Sequence, residues 1–247
     1  MPYTSYSIVV PAFNEAARIG RTLEDVLAWA AQERLEAEVI VVNDGSRDQT
    51  AEIVRGYMLR HSNLRLLENP GNRGKGYSVR HGMMHATGEI RLFSDADLSA
   101  PIEEASKLFA AIAGGADIAM GSRWLRSETQ AQKQPLQRQF LGRVFNRLLR
   151  VILGLKFKDT QCGFKAFTRP AAEYIFPRQR IERWAFDPEL LYLAKRAGLK
   201  VIELPVAWAH RTGTHIHPLR DGFLMLIDVL QIRWNALLGK YTTAIAP

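Results

Sequence analysis

The sequence is short of most features that would place it outside a reducing compartment or inside a bilayer. Its 247 residues include a single cysteine, Cys162. No intrachain disulfide and no cysteine zinc cluster can be built from one thiol, and such usage suits a reducing compartment. No charge-free apolar run approaches the ~18–20 residues of a membrane-spanning helix. The opening stretch MPYTSYSIVVPAF has no basic segment leading into an apolar one with a small-residue cleavage site. No secretory signal is read there. Acidic residues are also in deficit. Against 33 Lys and Arg stand 25 Asp and Glu, a net charge of +8. That leans toward anionic partners: nucleic acid, anionic lipid or phosphorylated metabolites. No nucleic-acid module is visible, so nucleic acid is set aside. Linkers, low-complexity tracts and internal repeats are lacking too. One domain is expected over 1–215, with an amphipathic helical extension of it over 216–247.

What is present is alternation. Ser7 to Val10, Glu38 to Val42, Leu64 to Leu67, Glu89 to Phe93 and Asp117 to Met120 read as buried strands. Between them, Glu15 to Gln32, Asp48 to Arg60, Lys75 to Ala86 and Pro101 to Ala113 carry helical spacing or helix-start signals, with Ser46 or Asp48 as a cap and proline in the last helix's first turn. This is a βαβ pattern. It predicts an α/β fold with a mostly parallel sheet flanked by helices. Ligands of such sheets sit beyond the carboxyl ends of the strands.

Three polar clusters fall at those ends: Asn14-Glu15, Asn43-Asp44-Gly45-Ser46 and Ser94-Asp95-Ala96-Asp97. Asp95 and Asp97 flank a small residue and can reach one hard cation, Mg²⁺ or Mn²⁺, which prefer oxygen ligands. Alone, Asp-x-Asp is more often a solvated turn or a helix cap. Beside two other clusters it becomes a candidate metal and diphosphate site. Asp44 can accept from a base or ribose, or close an Asx-turn with Gly45. Asn72-Arg73-Gly74-Lys75-Gly76 opens a helix, a setting that suits a phosphate. It is neither a Walker A loop nor a dinucleotide fingerprint.

The second half differs. Ser127 to Gln139 is polar and reads as a loop. Phe140 to Leu155 and His217 to Leu238 read as amphipathic helices, and Val201 to Leu204 as a late strand. Arg123, Arg126, Arg138, Arg143, Arg147, Arg150 and Arg211 accompany large apolar residues. Such a pattern suits a helix lying in a membrane interface, with packing against a second copy in a homodimer as the competing reading. His215 and His217 alternate in Thr-His-Ile-His-Pro, which reads as ordinary loop histidines rather than a metal pair.

Taken in order, these segments resemble a family 2 glycosyltransferase of the GT-A fold. The resemblance runs from Val10-Pro11-Ala12-Phe13-Asn14-Glu15 through Val42 to Ser46, Asn72 to Gly76, Asp95 to Asp97 and Gly121-Ser122-Arg123. It continues through Asp159-Thr160-Gln161-Cys162-Gly163-Phe164-Lys165 to Arg183-Trp184-Ala185-Phe186-Asp187. More narrowly, the chain is similar to dolichyl- and polyprenyl-phosphate glucosyltransferases.

The resemblance implies roles. Pro11, Ala12, Asn14, Glu15, Asp44 and Lys75 would line the nucleotide site. Asp95, Ala96 and Asp97 would carry the diphosphate and the metal. Arg123, Arg138 and Arg211 would meet the acceptor phosphate and the diphosphate. Asp97, Arg123 and Asp187 are the catalytic candidates. Ser99 stands where mannosyltransferase relatives carry a glutamine, which favours the glucosyl branch. An N-terminal membrane anchor, carried by the eukaryotic glucosyltransferases, is not seen in this sequence.

The expected reaction is inverting, metal-dependent transfer of a hexose from a nucleotide-sugar to a polyprenyl or dolichyl phosphate. UDP-glucose is favoured over GDP-mannose. The enzyme would lie peripherally on the cytoplasmic face of a membrane. A glycan hydroxyl acceptor would instead need Asp187 as base. A module that binds a nucleotide-sugar without turnover is the non-enzymatic alternative.

Overall fold

A computed structural model describes residues 3–125, 130–132, 146–209 and 218–245. Arg126, Arg138, Arg143, Arg211, His215 and His217 lie outside them. So does the start of the helix expected from Phe140; within the described part, residues 146–153 are helical, and we label them α5.

The alternation read from the sequence is realised. The chain runs β1 (Tyr6–Ala12), α1 (Ile19–Gln32), β2 (Ala37–Asn43), α2 (Thr50–Met58), β3 (Leu64–Glu68), α3 (Lys75–His85), β4 (Ile90–Ser94), α4 (Ala105–Ala113) and β5 (Ile118–Ser122). After these come β6 (Gln130–Gln132), α5, β7 (Phe164–Thr168), α6 (Arg169–Ile175), α7 (Phe186–Arg196), β8 (Val201–Pro205), β9 (Trp208–Ala209) and α8 (Pro218–Leu237).

Seven strands form one sheet in the order β3-β2-β1-β4-β7-β5-β8. β7 runs antiparallel to both β4 and β5; the other pairings are parallel. The sheet is thus mostly parallel, as the alternation required. β6 and β9 make a small separate pair. This corrects the expectation of an unbroken loop over 127–139, because residues 130–132 pair with the chain near Trp208.

Side chains of β1 alternate between two cores. Ile8 and Val10 join Ile19, Leu23 and Val26 of α1 and Leu108, Phe109 and Ile112 of α4. Val9 points to the opposite layer, with Val79 and Met83 of α3, Phe186 and Leu190 of α7, and Val229 and Ile232 of α8. Burial on both faces of the sheet is what lets its strands read as continuous apolar runs.

Helix α1 begins at Ile19 rather than Glu15. Asn14 adopts a left-handed backbone with φ of 54°. The amides of Asn14, Glu15 and Ala16 donate to Ser46 Oγ, Thr50 Oγ1 and Asp48 Oδ2. Side chains of the β2–α2 connection therefore satisfy these donors outside any helix. The same connection starts α2, where Asp48 Oδ1 accepts from Thr50 N at 3.0 Å.

Candidate active site

Strand order reverses between β1 and β4, since β2 and β3 lie to one side of β1 and β4 lies to the other. The crevice beyond this switch point is where open α/β sheets bind ligands. Asn14-Glu15 leaves the end of β1, and Asp95-Ala96-Asp97 leaves the end of β4.

The acidic turn is held from several sides. Leu98 N donates to Asp95 O at 3.1 Å, and Leu98 takes a φ of 45°. Thr22 Oγ1, on α1, donates to Ala96 O at 2.6 Å. Ser99 N donates to Asp97 Oδ1 at 2.9 Å, and Ala209 N donates to Ser99 O at 2.8 Å. Ser99 is buried, so its backbone fastens the turn to β9.

Gly163 presses against Asp95. A β-carbon there would lie 2.5 Å from Asp95 Oδ2 and 2.6 Å from Oδ1. No side chain fits, so the glycine makes the carboxylate's seat. On the other side Lys75 Nζ stands 2.5 Å from Asp95 Oδ1. Oδ1 is buried without a well-directed hydrogen bond, so this contact is an ion pair whose angle is poor. Burial works against the charge of Lys75, but Asp95, then Asp187 and Asp97, raise its ammonium above lysine's ordinary range. Three carboxylates thus act on one amine. Its ammonium also faces the rings of Trp184 and Phe186 at 5.6 and 5.9 Å.

Glu15 belongs to the same field. Burial raises its carboxyl against the pull of Arg18, and Asp97, Asp48 and Asp95 add to the rise. Glu15 Oε2 lies 2.6 Å from Arg18 Nε. The first and third polar clusters therefore converge as expected. Pro11 and Ala12 are buried at the end of β1, where Ala12 O accepts from Asp44 N at 2.8 Å.

Asp44 itself is a latch. Its Oδ1 accepts from Asn69 Nδ2 at 2.7 Å and Arg73 N at 2.9 Å, and its Oδ2 from Gly74 N at 2.8 Å. Through these bonds the β2 end shapes the Asn72–Gly76 loop and sets the start of α3. Asn14 has a matching task, accepting from Arg47 N at 2.8 Å.

Arg123, just past β5, forks onto Asp159. Nε donates to Oδ2 at 2.7 Å, Nη2 to Oδ1 at 2.9 Å, and its own amide to Oδ2 at 3.0 Å. Burial opposes charge on both groups. Asp159 nevertheless holds the guanidinium above its ordinary range, and Arg123 holds the carboxyl below its own. The guanidinium also faces Trp208 and Trp124 at 5.6 and 5.8 Å.

Asp187 opens α7 and is buried against Lys165 of β7, which pairs with its Oδ1. Lys165 is fully buried and also donates to Cys162 O at 2.5 Å. Burial raises the Asp187 carboxyl, while Lys165 and then Lys75 oppose the rise. Burial likewise pushes the Cys162 thiol up to about 12, so it is not a nucleophile near neutral pH.

Asp95 and Asp97 suit a hard cation: two carboxylates at a strand end, with the room beside Asp95 kept by Gly163. Among the described residues no group of three His, Cys, Asp or Glu makes a complete ligand set. A divalent ion would draw its other ligands from phosphate and water, as Mg²⁺ commonly does. Sequence reasoning quoted Asp159, Gly163, Lys165 and Trp184 within motifs but gave them no individual task. Their tasks depend on partners far along the chain.

The "Glycosyl transferase family 2" profile matches residues 7–176. A dolichyl-phosphate beta-glucosyltransferase of Trichomonas vaginalis is 42% identical over 251 residues, covering 97% of this chain and 73% of that protein. The human dolichyl-phosphate beta-glucosyltransferase is 35% identical, covering 97% of this chain and 78% of its own length. In shape, the chain matches Mycobacterium tuberculosis glucosyl-3-phosphoglycerate synthase in complex with Mn²⁺, UDP and glucosyl-3-phosphoglycerate. That match has a TM-score of 0.65 at 19% identity, and it covers 99% of this chain and 81% of the other. The fold is therefore GT-A-like, and the chain is a glycosyltransferase that belongs to glycosyl transferase family 2.

Proposed function

We propose that the protein transfers glucose from UDP-glucose to a dolichyl or polyprenyl phosphate, with inversion at the sugar carbon, at the cytoplasmic face of a membrane. One observation carries most weight: Asp95, with the Lys75 ammonium against it, stands at the β1/β4 switch point of a chain similar throughout to dolichyl-phosphate glucosyltransferases. Anion and cation side by side match what a metal-bound diphosphate presents.

A phosphate oxygen of the acceptor forms a bond to sugar C1. The bond from C1 to the diphosphate breaks, and its electron pair leaves with UDP. A single displacement turns an α-linked donor into a β-linked product. Asp95 and Asp97 would hold Mg²⁺ or Mn²⁺, which would supply positive charge to steady the departing diphosphate. Lys75 adds to it from the side. A phosphate monoester, with its second pKa near 6, is already largely ionised at neutral pH, so no base is required. The burial of Asp187 and its pairing with Lys165 support this choice, because a base must lie within hydrogen-bond reach of the proton it takes.

The phosphate acceptor is supported by a cavity of about 600 Å³ lined by Trp124, Arg147, Arg150 and Lys158. It lies next to the Arg123–Asp159 pair in sequence, and among the described residues no acidic one lines it. A membrane surface is supported by α8, which exposes Phe223, Ile227, Leu230, Trp234 and Leu237 along one side. Among the described residues no helix is long and apolar enough to cross a membrane, so contact along the surface is the mode available to them.

The test is incubation with labelled UDP-glucose, GDP-mannose or UDP-galactose, each with dolichyl phosphate, with and without Mn²⁺. Label is expected in the lipid phase from UDP-glucose alone and only with metal. Transfer from GDP-mannose instead, or none from any donor, contradicts the reading.

A further inference from the structure

We propose that Glu189 is a positioning residue for the donor site, fixing residues 179–183 and through them the Lys75 ammonium against Asp95. The inference rests on the reading of that site as the seat of the nucleotide diphosphate. It concerns a residue buried on α7 that takes no part in the transfer itself.

Glu189 lies on α7 and is fully buried. Among the described residues no Lys or Arg side chain forms an ion pair with it. Its oxygens instead collect donors from two distant segments. Arg180 N reaches Oε1 and Oε2 at 3.0 and 3.1 Å, Ile181 N reaches Oε2 at 2.8 Å, and Tyr241 OH reaches Oε1 at 2.7 Å. A buried carboxylate without a counter-ion is costly. An apolar side chain there would leave the Arg180 and Ile181 amides and the Tyr241 hydroxyl without their acceptor, which is also costly. What a carboxyl group can do here, and an apolar side chain cannot, is accept from both backbone amides and the phenol together.

The segment it holds has no slack against α3. Gln179 Nε2 donates to Gly76 O at 2.8 Å, and Tyr77 N donates to Glu182 O at 3.0 Å. A β-carbon on Gly74 would meet Glu182 O at 2.6 Å, and one on Gly76 would meet Ile181 O at 2.7 Å. Lys75 sits between those two glycines as the first residue of α3. Its amine is bounded by Trp184 and Phe186, which continue the same segment. Displacement of Arg180 and Ile181 is thus passed to Gly74 and Gly76 by direct backbone contact, and so to Lys75. Tyr241 and Arg180, whose Nη2 donates to Lys240 O and Thr243 O, anchor the other end to the chain beyond α8.

The experiment is a double-mutant cycle read by calorimetric binding of UDP in the presence of Mn²⁺. Glu189→Gln is expected to weaken UDP about tenfold. In a Lys75→Ala background it is expected to change UDP affinity by less than twofold, since coupled residues are non-additive. Tyr241→Phe, which leaves the carboxylate in place, should show the same coupling with a loss of two- to threefold. It carries the test alone if Glu189→Gln does not fold. In transfer assays the effect should fall on KM for the donor rather than on kcat. Unchanged UDP affinity in the single variants overturns the proposal, as does a loss that persists fully without Lys75. Failure of the unaltered protein to bind UDP at all overturns the donor-site reading, and this proposal with it.

Discussion

Gly163 lies so close to Asp95 that a β-carbon would stand 2.5 Å from the carboxylate. Asp95 directly follows β4 and Gly163 directly precedes β7, and β7 pairs antiparallel with β4. This reversed strand brings the Asp159–Lys165 motif to the acidic turn. Gly163→Ala must therefore move Asp95, the backbone of β7 or both. Misplacement of about 1 Å can cost on the order of a hundredfold in rate. We expect kcat/KM to fall at least that far, while the melting temperature changes by only a few degrees. Full activity in Gly163→Ala would show that the Asp95 seat is not needed.

Lys75→Ala removes the cation beside Asp95. A hydrogen bond to a charged group is worth about 1.5–3 kcal/mol. Donor affinity, measured with UDP and Mn²⁺, should fall roughly ten- to a hundredfold. Lys75→Arg should recover part of it. An unchanged affinity would place the diphosphate elsewhere.

Asp187→Asn tests two things at once. It strips the fully buried Lys165 of its counter-ion, and breaking a buried pair from one side costs roughly 3–5 kcal/mol. Urea denaturation should show that loss, and Lys165→Met combined with Asp187→Leu should restore most of it. In the folded fraction of Asp187→Asn, turnover should fall less than about tenfold. A general base contributes about 10²–10⁴-fold. A fall of that size with UDP binding intact would make Asp187 the base and point to a hydroxyl acceptor.

Glu189 gives a pH signature. Burial pushes its carboxyl up to about 7, against the hydrogen bonds from Tyr241, Ile181 and Arg180. An unfolded glutamate titrates near 4.3. Between those values the folded chain keeps a proton that the unfolded chain has lost, so this group's contribution to stability declines as pH rises. The difference in unfolding free energy between the unaltered protein and Glu189→Gln should shrink from about pH 4.5 to 7. The change should be roughly 3 kcal/mol, then level off. A difference independent of pH would show that Glu189 titrates normally.

Strands β1 and β2 were legible because they are largely apolar and buried on both faces, whereas β3 and β4 carry Arg65 and Arg91 and were legible from the alternation around them. Val39 to Val42 are all fully buried. Strand β7 was not legible, since Phe164-Lys165-Ala166-Phe167-Thr168 carries a lysine at its centre. The charge is answered by Asp187, distant in sequence, and no local periodicity reports such a pairing. Helix α7 escaped for the opposite reason: every residue from Phe186 to Ala194 is buried, so no polar face marks a helical period. The acidic turn was found because its chemistry is local. Gly163, Asp159 and Glu189 act through contacts made only when the sheet closes.

The product of UDP-glucose and dolichyl phosphate, examined by NMR at the anomeric centre, tests the central claim most directly. A β-linked glucosyl phosphate on the lipid, absent in Asp95→Asn, is the predicted result. An α-linked product, or release of free glucose without lipid-borne sugar, would contradict it.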